Sequence, residues 1–463
     1  MKQKTIIWLR NDFRLTDNAA INEASQNGDE LIFLYIHNKE QELGAATKWF
    51  LHQTLNSFKQ DLHSHYNAHL LIKIGEEEEV LTDLIATYKI QKILWNRVYE
   101  PHAIKRDSKI KAKLKDQNII VKTFNSSLLF EPSFIKNNAG EFFKVFSPFW
   151  RKCLSALEQI TEPYKKPESL SIITLKESKE ISLEQLDLLP TEPNWAKNWP
   201  EIYKVSEDDI HEKAQRFISD KILNYKTERD FPALDATSKL SPYLHFGIIS
   251  PKLLYYKLIP YLDDSKGAIH FFSEIGWREF SYYLLYHFPK LETANFNAKF
   301  DGFKWQNDME KLKKWQKGQT GFPIIDAGMR QLWQTGWMHN RIRMVVASFL
   351  IKNLLIDWRY GMKWFADCLV DADLAANAAS WQWVAGSGAD AAPYFRIFNP
   401  ITQSVKFDPE GHYIRKWVPE LAHLANDKIH QPQNVKEYFP EIVDLKESRN
   451  TALENYKNLK TAK

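Results

Sequence analysis

Cysteine is nearly absent: Cys153 and Cys368 are the only two in 463 residues. Two thiols cannot supply an iron–sulfur cluster or an all-cysteine zinc site, and they imply no disulfide framework. No metal site is therefore expected, and a reducing, cytoplasmic setting is. Long apolar runs are missing too: nothing reaches membrane-spanning length, and the start MKQKTIIWLRNDF is too briefly apolar for a signal peptide. No membrane role is expected. Charge of one sign is also lacking, with 62 Lys+Arg against 58 Asp+Glu and a net charge of +4. The total makes no electrostatic case for nucleic acid, so a local basic face would have to carry any such binding. Neither GxGxxG nor GxxxxGK[ST] follows any candidate strand, which excludes a dinucleotide fingerprint and a P-loop.

What is present in excess is aromatic: 16 Trp, 19 Tyr and 28 Phe. Such content fills a bulky core or builds a stacking surface for a flat ligand. The length suits two or three domains. Short apolar runs at Thr5–Leu9, Leu31–Ile36, Leu70–Ile74, Lys92–Trp95 and Ile119–Phe124 alternate with helical spacing at Lys48–His63, Glu76–Lys89 and His102–Asp116. That rhythm predicts an α/β domain over residues 1–130, a parallel sheet with helices on both faces. The polar turn Arg10–Arg14 after the first strand suits a ligand or an interdomain contact. From 131 to 208 periodicity fails amid Pro132, Pro148, Pro163, Pro167, Pro190, Pro193 and Pro200, which predicts a long interdomain linker. Residues 209–463 read as all-helical.

Four stretches of the helical half look directed at a ligand. In Leu369–Pro400, small residues crowd Ala375–Ala379 and Gly386–Ala392 beside Asp371, Asp373, Asn377, Trp381, Trp383 and Arg396. Close backbone approach to something large and flat is one reading; a small-residue packing seam is the other. Tyr225 with Thr237–Ser241 offers hydroxyls and N–H groups for an anion, or plain helix caps. Glu274 and Arg278, four apart, share a helix face and form an ordinary ion pair unless Trp277 beside them marks a site. In Trp337–Met344, Asn340, Arg343 and Met344 cluster on one side, and a buried Arg343 would need Asp371 or Asp373. His339 reads as a packed or capping residue rather than a metal ligand. Trp305, Trp358 and Trp381 are isolated indoles that core filling explains unless they lie in a row.

Taken together, WLRNDFRLTDNAAI (Trp8–Ile21), YKTERDFP (Tyr225–Pro232), TSKLSPYLHFG (Thr237–Gly247), WREF (Trp277–Phe280), the run Thr320–Arg359 and the segment Leu369–Pro400 closely resemble the photolyase/cryptochrome family. The resemblance spans nearly the whole chain. It implies an α/β antenna domain, a connector and an all-α FAD-binding domain. Cofactor contacts would fall on Tyr225, Thr237, Ser238, Lys239, Leu240, Ser241, Phe271, Glu274, Arg278, Trp337, Asn340, Arg343, Asp371, Asp373 and Asn377. Lys239 and Phe271 depart from the commoner Arg and Trp, although charge and ring are kept. Asn377, Met344 and the retained Trp383 point to a class I cyclobutane pyrimidine dimer photolyase. A blue-light photoreceptor of cryptochrome type is the alternative.

On that resemblance the function is light-driven repair of pyrimidine dimers in UV-damaged DNA, with an electron passing from excited, reduced, anionic FAD to a flipped-out dimer. Glu274, Trp277, Asn340, Met344 and Trp383 would meet the dimer. Arg229, Arg341 and Arg396 would meet DNA phosphates. Trp305, Trp358 and Trp381 would relay electrons to the flavin from the surface. A second antenna chromophore (folate, deazaflavin or flavin) is expected in the first domain. With each repair site complete within one chain, the expectation is a monomer needing no obligate protein partner.

Overall fold

The computed structural model describes residues 2–175, 181–391 and 395–461. Ala392, the end of one small-residue run, lies outside them. Five parallel strands, β1 (Lys4–Leu9), β2 (Glu30–His37), β3 (Leu70–Ile74), β4 (Lys92–Asn96) and β5 (Ile120–Phe124), form a sheet in the order β3-β2-β1-β4-β5. Successive residues of a strand point to opposite faces. Ile7, Leu9, Phe33 and Tyr35 accordingly join one core, with α1 (Ala19–Asn27) and α2 (Ala45–Tyr66). Ile6, Trp8, Leu34 and Ile93 join another, with α3 (Glu77–Tyr88) and α4 (Pro101–Asp116). Helices thus cover both faces, which explains why the strands are near-continuous apolar runs.

The stretch after Phe130 is less bare than its prolines suggest. It forms a helix at Phe146–Leu154 whose Phe146, Phe149, Trp150 and Cys153 are buried. Ser171–Ile172 then returns to the sheet as β6, pairing with Glu30–Leu31 ahead of the β3 register. Trp150 lies across Gly276, where a β-carbon would come within 2.6 Å of its ring. The connector therefore packs into the helical half instead of merely crossing its surface. Among the described residues no strand follows Ile172.

The turn after β1 is an interdomain clasp. Arg14 is 1% exposed. It donates to Gly247 O at 2.8 Å, to Ser126 O at 2.6 Å and to Asp17 O at 2.8 Å. Glu207 accepts from the backbone N–H of Leu15 and Thr16, and Ser250 Oγ donates to Asp17 at 2.5 Å. Gly247 has φ +66°, and a β-carbon there would sit 2.1 Å from Asn11 O. Only glycine fits such an approach.

Candidate functional site

A cavity of about 270 Å³ opens in the helical half. The helix Lys266–His287, capped by Ser265, gives one wall. Phe271, Glu274, Ile275 and Arg278 line it at i, i+3, i+4 and i+7, one stripe of a helix. The opposite wall is Trp337, Met338, Asn340 and Arg343, the last two on the helix Asn340–Ser348. Thr237 to Ser241 line the cavity from a third segment, and Asp371, Asp373 and Ala376 from a fourth. All the cofactor residues expected from the sequence line this one cavity except Asn377. Its Nδ2 donates to Met362 O at 3.0 Å, leaving Oδ1 as its uncommitted polar atom.

The acidic segment is electrostatically tied to its neighbours. Asp371 Oδ2 accepts from Arg343 Nη2 at 2.8 Å and from Ser241 Oγ at 2.5 Å. Arg343 Nε donates to Met338 O at 2.8 Å. Asp371 Oδ1 is buried with no hydrogen-bond partner. Asp373 caps the helix Leu374–Ala385 through Ala376 N at 2.8 Å and accepts from the Tyr282 hydroxyl. Burial drives its carboxyl upward, but His245, Arg278 and Tyr282 outweigh that and hold it below the usual range. Lys239 sits at φ +52° with its Nζ 2.7 Å from Asp235 Oδ1 and 5.7 Å from the centre of the Trp337 ring.

Several expected partners differ. Glu274 and Arg278 do not pair: Glu274 accepts from Arg229, while Arg278 donates to Ser127 O at 2.6 Å. The i, i+4 spacing brings them to one face, but each finds a better-placed partner on another segment. Ser241 Oγ donates its hydrogen bond to Asp371, so its hydroxyl is already committed. Of the arginines expected at DNA phosphates, Arg229 holds Glu274 and Arg341 pairs with Asp230 at 2.6 Å, leaving Arg396 exposed. Both pairs arise because acids on the YKTERDFP segment and its neighbour fold over the same edge. His339 is a cap: its Nδ1 accepts from Arg341 N at 3.2 Å, and burial pushes it down to about 4.

Trp277 and Trp383 stand outside the cavity. Trp277 stacks on Phe146 of the connector at 3.8 Å between ring centres and 10° between planes. Trp383 lines a separate recess of about 30 Å³ with Ser348, Lys352, Asp390 and Arg396. Their helices, Lys266–His287 and Leu374–Ala385, pack against each other. Met344 is half-buried and lines neither space. Trp358 and Trp381 share one core cluster, with Trp305 packed against it and more exposed. Gly361 brings the Trp358 helix onto Trp381: a β-carbon would meet that indole at 2.1 Å. Asp357 N donates to Asn307 Oδ1 at 2.9 Å, tying in the Trp305 segment.

Sequence reading missed Phe146, His245 and Lys352. His245 was hidden in a motif valued for its hydroxyls. The i, i+3, i+4 aromatics Phe146, Phe149 and Trp150 were a signal of a packed connector helix. Lys352 resembles any surface lysine until its burial is known.

The comparisons with known proteins agree with this architecture. Residues 5–168 match the model for DNA photolyase, and residues 271–458 match that for the FAD binding domain of DNA photolyase. A deoxyribodipyrimidine photo-lyase of Agrobacterium fabrum is 44% identical over 98% of this chain and 98% of its own length. Cryptochrome-2 of Arabidopsis thaliana is 35% identical over 93% of this chain and 73% of its own. The crystal structure of a bacterial class III photolyase from Agrobacterium tumefaciens superposes with a TM-score of 0.95 at 43% identity, covering 100% of this chain and 98% of that one. The chain belongs to the DNA photolyase and cryptochrome family. Its helical half is an FAD-binding domain, and the chain is an enzyme of the photo-lyase type.

The cavity's residues fit FAD. The unpartnered Asp371 Oδ1 asks for a donor of the kind a flavin ring N–H supplies. The Arg343 guanidinium beside it suits an electron-rich ring.

Proposed function

We propose that this chain repairs cyclobutane pyrimidine dimers in UV-damaged DNA under blue light, acting as a monomer. The observation that carries the reading is the one cavity in which Glu274, Arg278, Asn340, Arg343 and Asp371 converge, lined in part by the same two packed helices that carry Trp277 and Trp383. Bound FAD, held reduced and anionic, supplies the light-driven one-electron donor. Arg343 and Arg278 offset that charge. Glu274, steadied by Arg229, offers carboxylate oxygens to the edges of the dimer bases. Trp277 is held flat by Phe146 and gives its remaining face for stacking. Trp305, Trp358 and Trp381 pass electrons inward when the flavin is oxidised. Arg229, Arg341 and Arg396 form the basic edge for phosphates, Arg229 through the nitrogens that do not hold Glu274, and Arg341 once Asp230 turns aside.

The finer class is read here as class III in place of class I, following the class III photolyase at 43% identity. The domain division at 1–130, 131–208 and 209–463 belongs to the same proposal. A second chromophore is placed beyond the carboxyl ends of β1 and β4, where the strand order reverses. Arg10 Nε and Asn96 Oδ1 are buried there without partners. The absorption spectrum of the purified protein would tell folate, deazaflavin and flavin apart.

Purified protein assayed on an oligonucleotide containing one thymine dimer, in light and in darkness, tests the central claim. Light-dependent restoration of the bases supports it. Loss of both dimer binding and restoration would favour the photoreceptor reading, the activity class of the cryptochrome relative at 35% identity.

A further inference from the structure

Lys352 is 3% exposed, an unusual place for an ammonium group. It lies on a π-helical turn, Phe349–Asn353, which inserts one residue and turns this side chain inward. Burial, and then the charge of Arg396, push its amine down to about 7, and no carboxylate offsets either. A buried amine, charged or neutral, is costly unless its N–H groups find an acceptor. Its Nζ donates to Arg396 O and lies 4.6 Å from the centre of the Phe395 ring. Neighbouring contacts grip the same short segment: Phe398 N donates to Ser348 Oγ at 3.2 Å, and Tyr456 stacks on Phe395 at 4.6 Å and 7°. The recess above Lys352 is walled by Trp383, Asp390 and Arg396.

We propose that Lys352 is a positioning residue for lesion binding, holding the Arg396 backbone from beneath so that Arg396 and Trp383 present one surface to DNA. This rests on the repair function proposed above. The π turn places the amine, the amine fixes a carbonyl, and the carbonyl aims a guanidinium that sits outside.

The test uses the FAD-loaded protein and a dimer-containing oligonucleotide, with wild type, Lys352→Met, Lys352→Gln, Arg396→Ala and the Lys352→Met/Arg396→Ala double variant. Lys352→Met keeps the volume and loses the hydrogen bond. It should weaken dimer binding about tenfold, leaving the flavin spectrum and the single-turnover repair rate at saturating enzyme unchanged. Lys352→Gln, which retains an N–H donor, should recover part of the affinity. In the Arg396→Ala background the Lys352→Met effect should vanish, because there is no longer a guanidinium to aim. A Lys352→Met protein that binds like wild type overturns the inference alone, as does an undiminished loss in the Arg396→Ala background. Wild type with no preference for the dimer overturns the repair function and this inference together.

Discussion

Asp371 has one oxygen engaged by Arg343 and Ser241 and the other by no donor among the described residues. Asp371→Asn would leave the Arg343 guanidinium without its counter-charge, a loss of about 3 kcal/mol for a buried pair. The variant should purify with far less flavin, read as the ratio of visible to ultraviolet absorbance; full flavin content would rule out this role. His339 offers a pH test. Its folded value, about 4, lies below the ordinary histidine value, so its neutral form is the stable one. It stabilises the fold above about pH 6.5, and that contribution, on the order of 3 kcal/mol, is lost as pH falls toward 4. Urea midpoints between pH 7 and 4 should drop less in His339→Asn, which keeps a capping side chain. At this scale the sequence was informative where the motifs left few choices: Arg343 had only Asp371 or Asp373 to meet, and His339 only a packed or capping role. It could not foresee Glu274 with Arg229, because that pairing depends on how two distant segments cross.

Between elements, close contact is set by what is absent. Gly361 lets the helix Trp358–Cys368 rest directly on Trp381, and the hydrogen bond from Asp357 to Asn307 holds the Trp305 segment beside it. Trp305→Phe should therefore stop light-driven reduction of oxidised flavin, followed as bleaching of its visible band. Repair by chemically pre-reduced protein should survive, and its loss would refute the division of labour. The strands β1, β2 and β4 were readable within a residue or two because burial on both sides leaves no polar alternation to confuse them, whereas the half-exposed β5 was marked by its β-branched residues. The helix Ala19–Asn27 escaped notice since its small residues bury only a narrow stripe. The helix Phe146–Leu154 was masked by the prolines around it.

The whole molecule is joined through the turn after β1, where Gly247 meets the Asn11 carbonyl and Arg14 reaches three backbone oxygens. Gly247→Ala combines a left-handed backbone with a direct overlap and should cost at least about 2 kcal/mol. Equilibrium unfolding should show it, with flavin release and loss of helical signal shifting together; a shift in one alone would mean that the halves unfold independently. Fold class was legible from periodicity, but the joint was not, since no local pattern announces a carbonyl meeting a glycine more than two hundred residues away. Trp150 pressed on Gly276 has a wider consequence. The helix bearing Glu274, Trp277 and Arg278 is shaped by the connector, so the two halves are poor interchangeable modules. A chimaera joining this sheet domain to another member's helical half should work only if the connector travels with the latter.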